Sequence, residues 1–211
     1  MKKLAALILS ATLFTGAAFA AETIPLPPPQ KSGGPEVLTA IDNRGSEPGS
    51  NFPIGAISQQ ELSTILWAAS GTNRDGEMWT VPMALGRPPY CKIYVVAKDG
   101  SYLYDWEAHA LQRVSREDFT GAIPIQPFGQ KAPITLVIVA DGKEVAQMSG
   151  PFAQEFPLVL AGSMSQNIYL AAQAENVGVR LVYSIKRDVA QTALRLDRSD
   201  KAIFGIILGK K

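Results

Sequence analysis

The sequence predicts an α+β or three-layer α/β fold, and three observations predict it. The first is the stretch from Leu158 to Val179, which carries a single charge, Glu175, and is therefore expected as a buried helix. Ala161, Ser165 and Ala172 share one side of it with Ile168, and Leu160, Met164 and Ala171 form an adjoining stripe. Ser163, Ser165, Gln166 and Asn167 interrupt the apolar run too often for a membrane span, and Asn176 and Gly178 suit a helix C-terminus. The second is the β-branched run Ile134 to Ala140, of the kind that occupies a central strand covered on both faces. The third is the order of elements, which reads helix, strand meander, strand, buried helix, strand, helix, strand.

Taken in order, residues 1–20 read as a secretory signal rather than as part of the fold. Lys2 and Lys3 precede an apolar run from Leu4 to Phe14, and Ala18-Phe19-Ala20 then offers a small-residue cleavage site before Ala21. Export to the periplasm or beyond is the expectation. The formal charge of +1 becomes −1 once Lys2 and Lys3 are removed, and no basic block remains, so neither a nucleic acid nor an anionic membrane surface is an expected partner. The lone Cys91 excludes an internal disulfide, and its place at the start of an apolar strand reads as a small buried hydrophobe.

Residues 21–34 hold Pro25, Pro27, Pro28 and Pro29 and close on Ser-Gly-Gly, which predicts an extended arm. Residues 35–211 are then one domain. Its first helix is expected over Pro35 to Asp42, from Val37, Leu38 and Ile41. Ser58 and Glu61 form a capping box ahead of Leu62, Ile65, Leu66 and Ala69, and Gly71 ends that helix. Trp67 and Trp79 bracket a polar turn, after which a strand is expected from Lys92 to Ala97. Asp99-Gly100 is a hairpin turn leading to Tyr102-Leu103-Tyr104, with a third strand at Ala110 to Val114. His109, the only histidine, reads as a surface turn residue. Gly142 to Phe156 reads as a lid or loop. A strand is expected from Val179 to Ile185, a helix from Asp188 to Leu196 and a buried terminal strand from Ala202 to Leu208.

The chain contains no H-E-x-x-H, G-x-S-x-G, G-x-x-x-x-G-K-[ST], C-x-x-C or G-x-G-x-x-G sequence. Zinc hydrolysis, serine hydrolysis, P-loop phosphoryl transfer, dithiol redox chemistry and a Rossmann cofactor site all lose support accordingly. Gly162-Ser163-Met164-Ser165 lies inside the long helix and reads as packing serines.

Several stretches instead resemble the FMN-dependent nitroreductase superfamily, in particular its SagB-type, thiazole/oxazole dehydrogenase-like branch. Leu62 to Arg74 (LSTILWAASGTNR) is similar to that branch's ELS-LLWAA-G-NR helix, and Thr80-Val81-Pro82-Met83-Ala84 to its T-P-S-A turn before an IYVV strand, here Ile93 to Val96. Gly162 to Tyr169 resembles the AG-SQN-YL helix, and Gly209-Lys210-Lys211 the glycine-plus-basic ending. The resemblance implies a nitroreductase-like three-layer α/β/α fold with a mixed central sheet. It also implies a homodimer formed through the long buried helices, with FMN held between the subunits. The helix stripe of Ala161, Ser165, Ile168 and Ala172 would then be the interface.

Carried over residue by residue, the phosphate motif R-R-S-x-R is represented by Arg44 and Ser46, with Gly45 in place of its second arginine. Met83 stands where the P-S-A turn has serine, and Arg87 follows soon after. Tyr183 and Ser184 match the strand that passes its backbone under the flavin ring, and Lys210 and Lys211 supply terminal positive charge. The chemistry would belong to FMN, with no protein acid or base required. The resulting expectation is an exported flavin oxidoreductase of ping-pong form, passing electrons to a quinone, nitroaromatic or other small acceptor. The alternative is a cofactor-free family member serving as a dimeric binding or scaffold protein.

Overall fold

The computed structural model describes residues 22–82, 89–148 and 150–211. Its centre is a seven-stranded sheet of order β1-β6-β5-β4-β7-β9-β8, built from β1 (Thr23–Pro25), β4 (Cys91–Ala97), β5 (Gly100–Asp105), β6 (Ala110–Ser115), β7 (Ile134–Ala140), β8 (Val177–Val182) and β9 (Lys201–Lys210). The sheet, expected as mixed, is antiparallel at every described pairing. The reason is topological. β7 and β8 run the same way and are joined through a helix, but β9 inserts between them and pairs antiparallel with both. A small separate hairpin pairs β2 (Thr72–Asn73) with β3 (Met78–Trp79).

Both faces of the sheet are covered, as the β-branched run of β7 demands. Leu136 and Ile138 face one core, with Ile65, Leu66, Leu160, Met164 and Ile168 from the helices α2 (Gln59–Ser70) and α4 (Phe152–Ala174). Val137 and Val139 face the other, with Ile123, Ile207 and Ala190 and Ala193 of α5 (Arg187–Ala193). Three layers result. Among the described residues the remaining α-helices, α1 (Val37–Asn43) and α3 (Gly142–Val145), are short. Among the described residues, no helix is long and apolar enough to cross a membrane.

The capping box that predicts α2 is present, with Ser58 Oγ accepting from the Glu61 amide at 3.2 Å and Glu61 Oε2 accepting from the Ser58 amide at 2.7 Å. Three boundaries shift. α4 begins at Phe152 rather than Leu158 and takes Pro157 into its early turns, so much of the expected lid is helix. It ends sooner because Asn176 adopts a left-handed φ of 52°, which lets β8 start at Val177. Ala97 pairs with Gly100, so the hairpin turns on Lys98 and Asp99 and Gly100 belongs to the strand.

The proline-rich arm is docked into the fold. β1 pairs with β6, Leu26 is buried, and Gln60 Nε2 donates to Pro28 O at 2.8 Å. His109, expected at the surface, is half-buried and fastens this arm. Its Nε2 lies 2.7 Å from Ser63 Oγ and 3.1 Å from Pro27 O, its Nδ1 lies 2.9 Å from the Tyr104 hydroxyl, and Ser63 Oγ donates to Pro27 O at 2.5 Å. Burial holds the imidazole below the ordinary histidine value, the Lys31 charge adding to this and the Pro27 carbonyl opposing it.

Gly178 and Gly209 are register partners, and both lie under Pro53. A Cβ on either would collide with that proline. The two glycines form a flat seat that lets the segment after α1 lie close against the end of the sheet. Glu47 N then donates to Val179 O at 3.0 Å, and Gly55 bridges to Lys210.

Candidate functional site

That segment brings Arg44 and Ser46 to the outer side of β8, the last strand of the sheet. Ser46 Oγ lies 2.6 Å from the hydroxyl of Tyr169, and this hydroxyl accepts from the Leu181 amide at 2.8 Å. The Arg44 guanidinium stands over the Tyr169 ring, 4.5 Å from its centroid. Tyr169 reaches there from α4, and its ring is itself part of the core cluster. One tyrosine thus ties together the long helix, the edge strand, Arg44 and Ser46.

The charge balance around this cluster is uneven. Arg44 has no ion pair among the described residues, and its Nε is buried without a hydrogen-bond partner. Gly45 beside it has open space where a side chain would project. A buried donor of this kind carries a desolvation cost that an anion accepting from it would relieve.

Lys211 and Lys210 are differently placed. Lys211 Nζ lies 2.7 Å from Glu47 Oε1, on the same segment as Ser46, and Arg180 Nη1 donates to Glu47 O at 2.7 Å. Lys210 turns to α2 instead, where its Nζ lies 2.5 Å from Glu61 Oε1 and donates to Glu175 O at 2.7 Å. Burial alone would raise the Glu61 carboxyl, but Lys210 and Ser58 outweigh it and hold the group below the ordinary carboxylate value. Lys210 is therefore a staple between the end of β9, the capping box of α2 and the C-terminus of α4.

Of the remaining expected residues, Met83 and Arg87 lie outside the described residues. Tyr183 and Ser184 follow β8 directly and are exposed, Tyr183 with 65% of its surface. Ser184 O accepts from the Ile125 amide at 3.2 Å, and the Arg187 guanidinium lies 5.9 Å from the Tyr183 ring. Cys91 is buried, and burial with the nearby Asp141 charge pushes its thiol up to about 12, which suits a packing residue and not a nucleophile. Among the described residues, no group of histidines, cysteines and carboxylates could hold a metal ion.

Sequence reasoning passed over Tyr169, Glu47 and Asn167. Asn167 Nδ2 donates to Ala68 O at 2.9 Å and Thr80 O at 3.0 Å, so it tethers the chain just ahead of Met83 to α4. Asn167 and Tyr169 both lie within the AG-SQN-YL resemblance, and that was their only signal in the sequence. The stripe of Ala161, Ser165, Ile168 and Ala172, expected to face a second copy, is buried in the chain's own core, with exposures of 0, 7, 0 and 0%. Ala161, Ile168 and Ala172 belong to the core cluster that also holds residues of α2 and the sheet, so the stripe does not lie on the surface of the chain.

The parts present fit the phosphate end of FMN at Arg44 and Ser46, where an orphaned cationic donor, a hydroxyl and unfilled space coincide. Lys211 could join them only by sharing Glu47, and Lys210 is committed elsewhere.

Comparison with known proteins gives the fold a family. The family model "Nitroreductase family" matches residues 54–210, a range that begins after Arg44 and Ser46. A protein of Methanocaldococcus jannaschii named as a nitroreductase is 30% identical over 132 residues, spanning 58% of this chain and 66% of that protein. A solved structure from Ralstonia eutropha, also named as a nitroreductase, superposes with a TM-score of 0.79 at 26% identity, covering 89% of each chain. A chain of the E. coli microcin synthetase McbBCD complex shares the fold at a TM-score of 0.62 and 15% identity, over 98% of this chain and 84% of its own length. The chain belongs to the nitroreductase family, a family of oxidoreductases.

Proposed function

We propose that this protein is an exported, FMN-dependent oxidoreductase of the SagB-type branch, working as a homodimer. It takes electrons from a reduced donor and passes them to a small acceptor such as a quinone or nitroaromatic, in ping-pong order. FMN, when bound, supplies the redox chemistry, and the protein's part is to hold and orient it. The observation that carries the reading is Arg44, a cation with a buried, unpartnered Nε beside Ser46 and above Tyr169. Arg44 and Ser46 would donate to the phosphate, Tyr169 keeps both in position, and Asn167 holds Thr80 to α4. Export rests on the residues Lys2 to Ala21. Exposed apolar residues on α1, Val37, Leu38 and Ile41, and on α4, Leu158 and Val159, support contact between two copies.

A second reading has its own observation. Lys210 and Lys211 are both paired with carboxylates, which favours a cofactor-free dimer acting as a binding or scaffold protein. Gel filtration after incubation with FMN separates the two: flavin absorbance that co-elutes with the protein supports the oxidoreductase, and its complete loss supports the scaffold.

A further inference from the structure

A cavity of about 400 Å³ opens beside Tyr183, between the first turns of α4, the helix α5 and the start of β9. Its apolar walls are Leu158, Ala202 and Ile203, and the exposed ring of Tyr183 forms one side. Arg187 and Lys201 bring two positive charges to it, and neither has a carboxylate within ion-pair distance among the described residues. The single acid in the lining, Asp200, is spent elsewhere: Oδ1 accepts from the Gly142 amide at 2.9 Å and Oδ2 lies 3.6 Å from Lys92 Nζ. Arg187 is held in place by its Nε and Nη2, which donate to Ala202 O and Ile203 O at 3.3 Å each, and no bond of Nη1 is seen among the described residues. The cavity therefore combines an aromatic ring, an apolar floor and a fixed guanidinium with a second cation at the rim.

We infer that this cavity binds a planar aromatic anion, a ring carrying a carboxylate or sulfonate. The ring would lie against Tyr183 and Leu158, and the anionic group would pair with Arg187 and Lys201. Its role as the acceptor site rests on the flavin reading above, because Tyr183 and Ser184 are the residues matched to the strand beneath the flavin ring. Binding itself does not depend on flavin.

The probes are 2-naphthoate and its uncharged counterpart 2-naphthamide, titrated calorimetrically into the full mature protein with and without added FMN. We expect naphthoate to bind at least tenfold more tightly than naphthamide in both conditions. Lys201→Ala, at an exposed position, and Arg187→Ala should each weaken naphthoate about tenfold and leave naphthamide unchanged. Equal affinity for the two probes, naphthoate affinity untouched by both substitutions, or no binding of naphthoate at millimolar concentration would each overturn the inference. A protein that binds naphthoate in this pattern but takes up no FMN retains the anion site and loses only the flavin reading.

Discussion

The Tyr169 hydroxyl sits 2.6 Å from Ser46 Oγ and 2.8 Å from the Leu181 amide, so a side chain from the long helix closes the outer edge of the sheet and holds the segment of Ser46 against it. Tyr169 is 5% exposed, and its ring also carries Arg44.

Tyr169→Phe isolates the hydroxyl, because the ring and its contact with Arg44 survive. The Leu181 amide loses its acceptor, and a stability loss of about 1–2 kcal/mol is expected in urea unfolding. FMN affinity should fall as well, since Ser46 is released. An unchanged midpoint together with unchanged FMN affinity would show that the hydroxyl positions nothing.

Lys210→Ala should act on stability before it acts on any ligand. The substitution removes the ion pair to Glu61 and the bond to Glu175 O, both partly shielded from solvent, at a cost of about 1–2 kcal/mol. The Glu61 carboxyl is held below its ordinary value, so this stabilisation is complete above the unfolded carboxylate range and is lost as pH falls through the folded value. The difference between Lys210→Ala and the unmodified protein should therefore shrink in acid. A constant difference from neutral pH down to pH 3 would contradict the assignment.

The layers, the capping box of α2 and both buried strands were legible in the sequence because each rests on local periodicity or a local motif. The placement of His109, Glu47 and Tyr169 was not, because each acts on a partner far along the chain, such as Pro27, Lys211 or Ser46. The interface stripe on α4 was misassigned for a related reason. Small residues at helical spacing mark close approach of another element, and periodicity does not say whether that element belongs to the same chain or to a copy. Here it is α2 and the sheet. Likewise, Gly178 looked like a helix terminator because nothing local reveals that Pro53 lies across it.

The docking of the arm through His109 should depend on pH. Its folded value is depressed, so the unfolded chain binds the proton more readily, and stability is full above the ordinary histidine value of about 6.5 and declines as pH falls through it. In His109→Ala this slope near pH 6 should vanish, and limited proteolysis should cut residues 22–34 faster. Persistence of the slope in the variant would assign it to another group.

Contact between copies should run through the apolar residues that the fold leaves outside, not through the buried stripe. Leu38 is 76% and Leu158 59% exposed, so Leu38→Asp and Leu158→Asp should leave the unfolding midpoint nearly unchanged. One or both should shift a dimer toward monomer in sedimentation equilibrium. A dimer unaffected by both changes would place the interface elsewhere, and Ala172→Arg should prevent folding altogether by burying an unpaired charge.

If Arg44 and Ser46 hold the phosphate of FMN, calorimetric titration of FMN into the mature protein and into Arg44→Ala will read it. The unmodified protein should bind FMN, and the variant should bind it about ten- to a hundredfold more weakly, the loss of one charged hydrogen bond at about 1.5–3 kcal/mol. Its melting temperature without FMN should stay close to that of the unmodified protein, because Arg44 has no ion pair among the described residues to lose. Equal FMN affinity in the two proteins, or no FMN binding by the unmodified one, would contradict the claim.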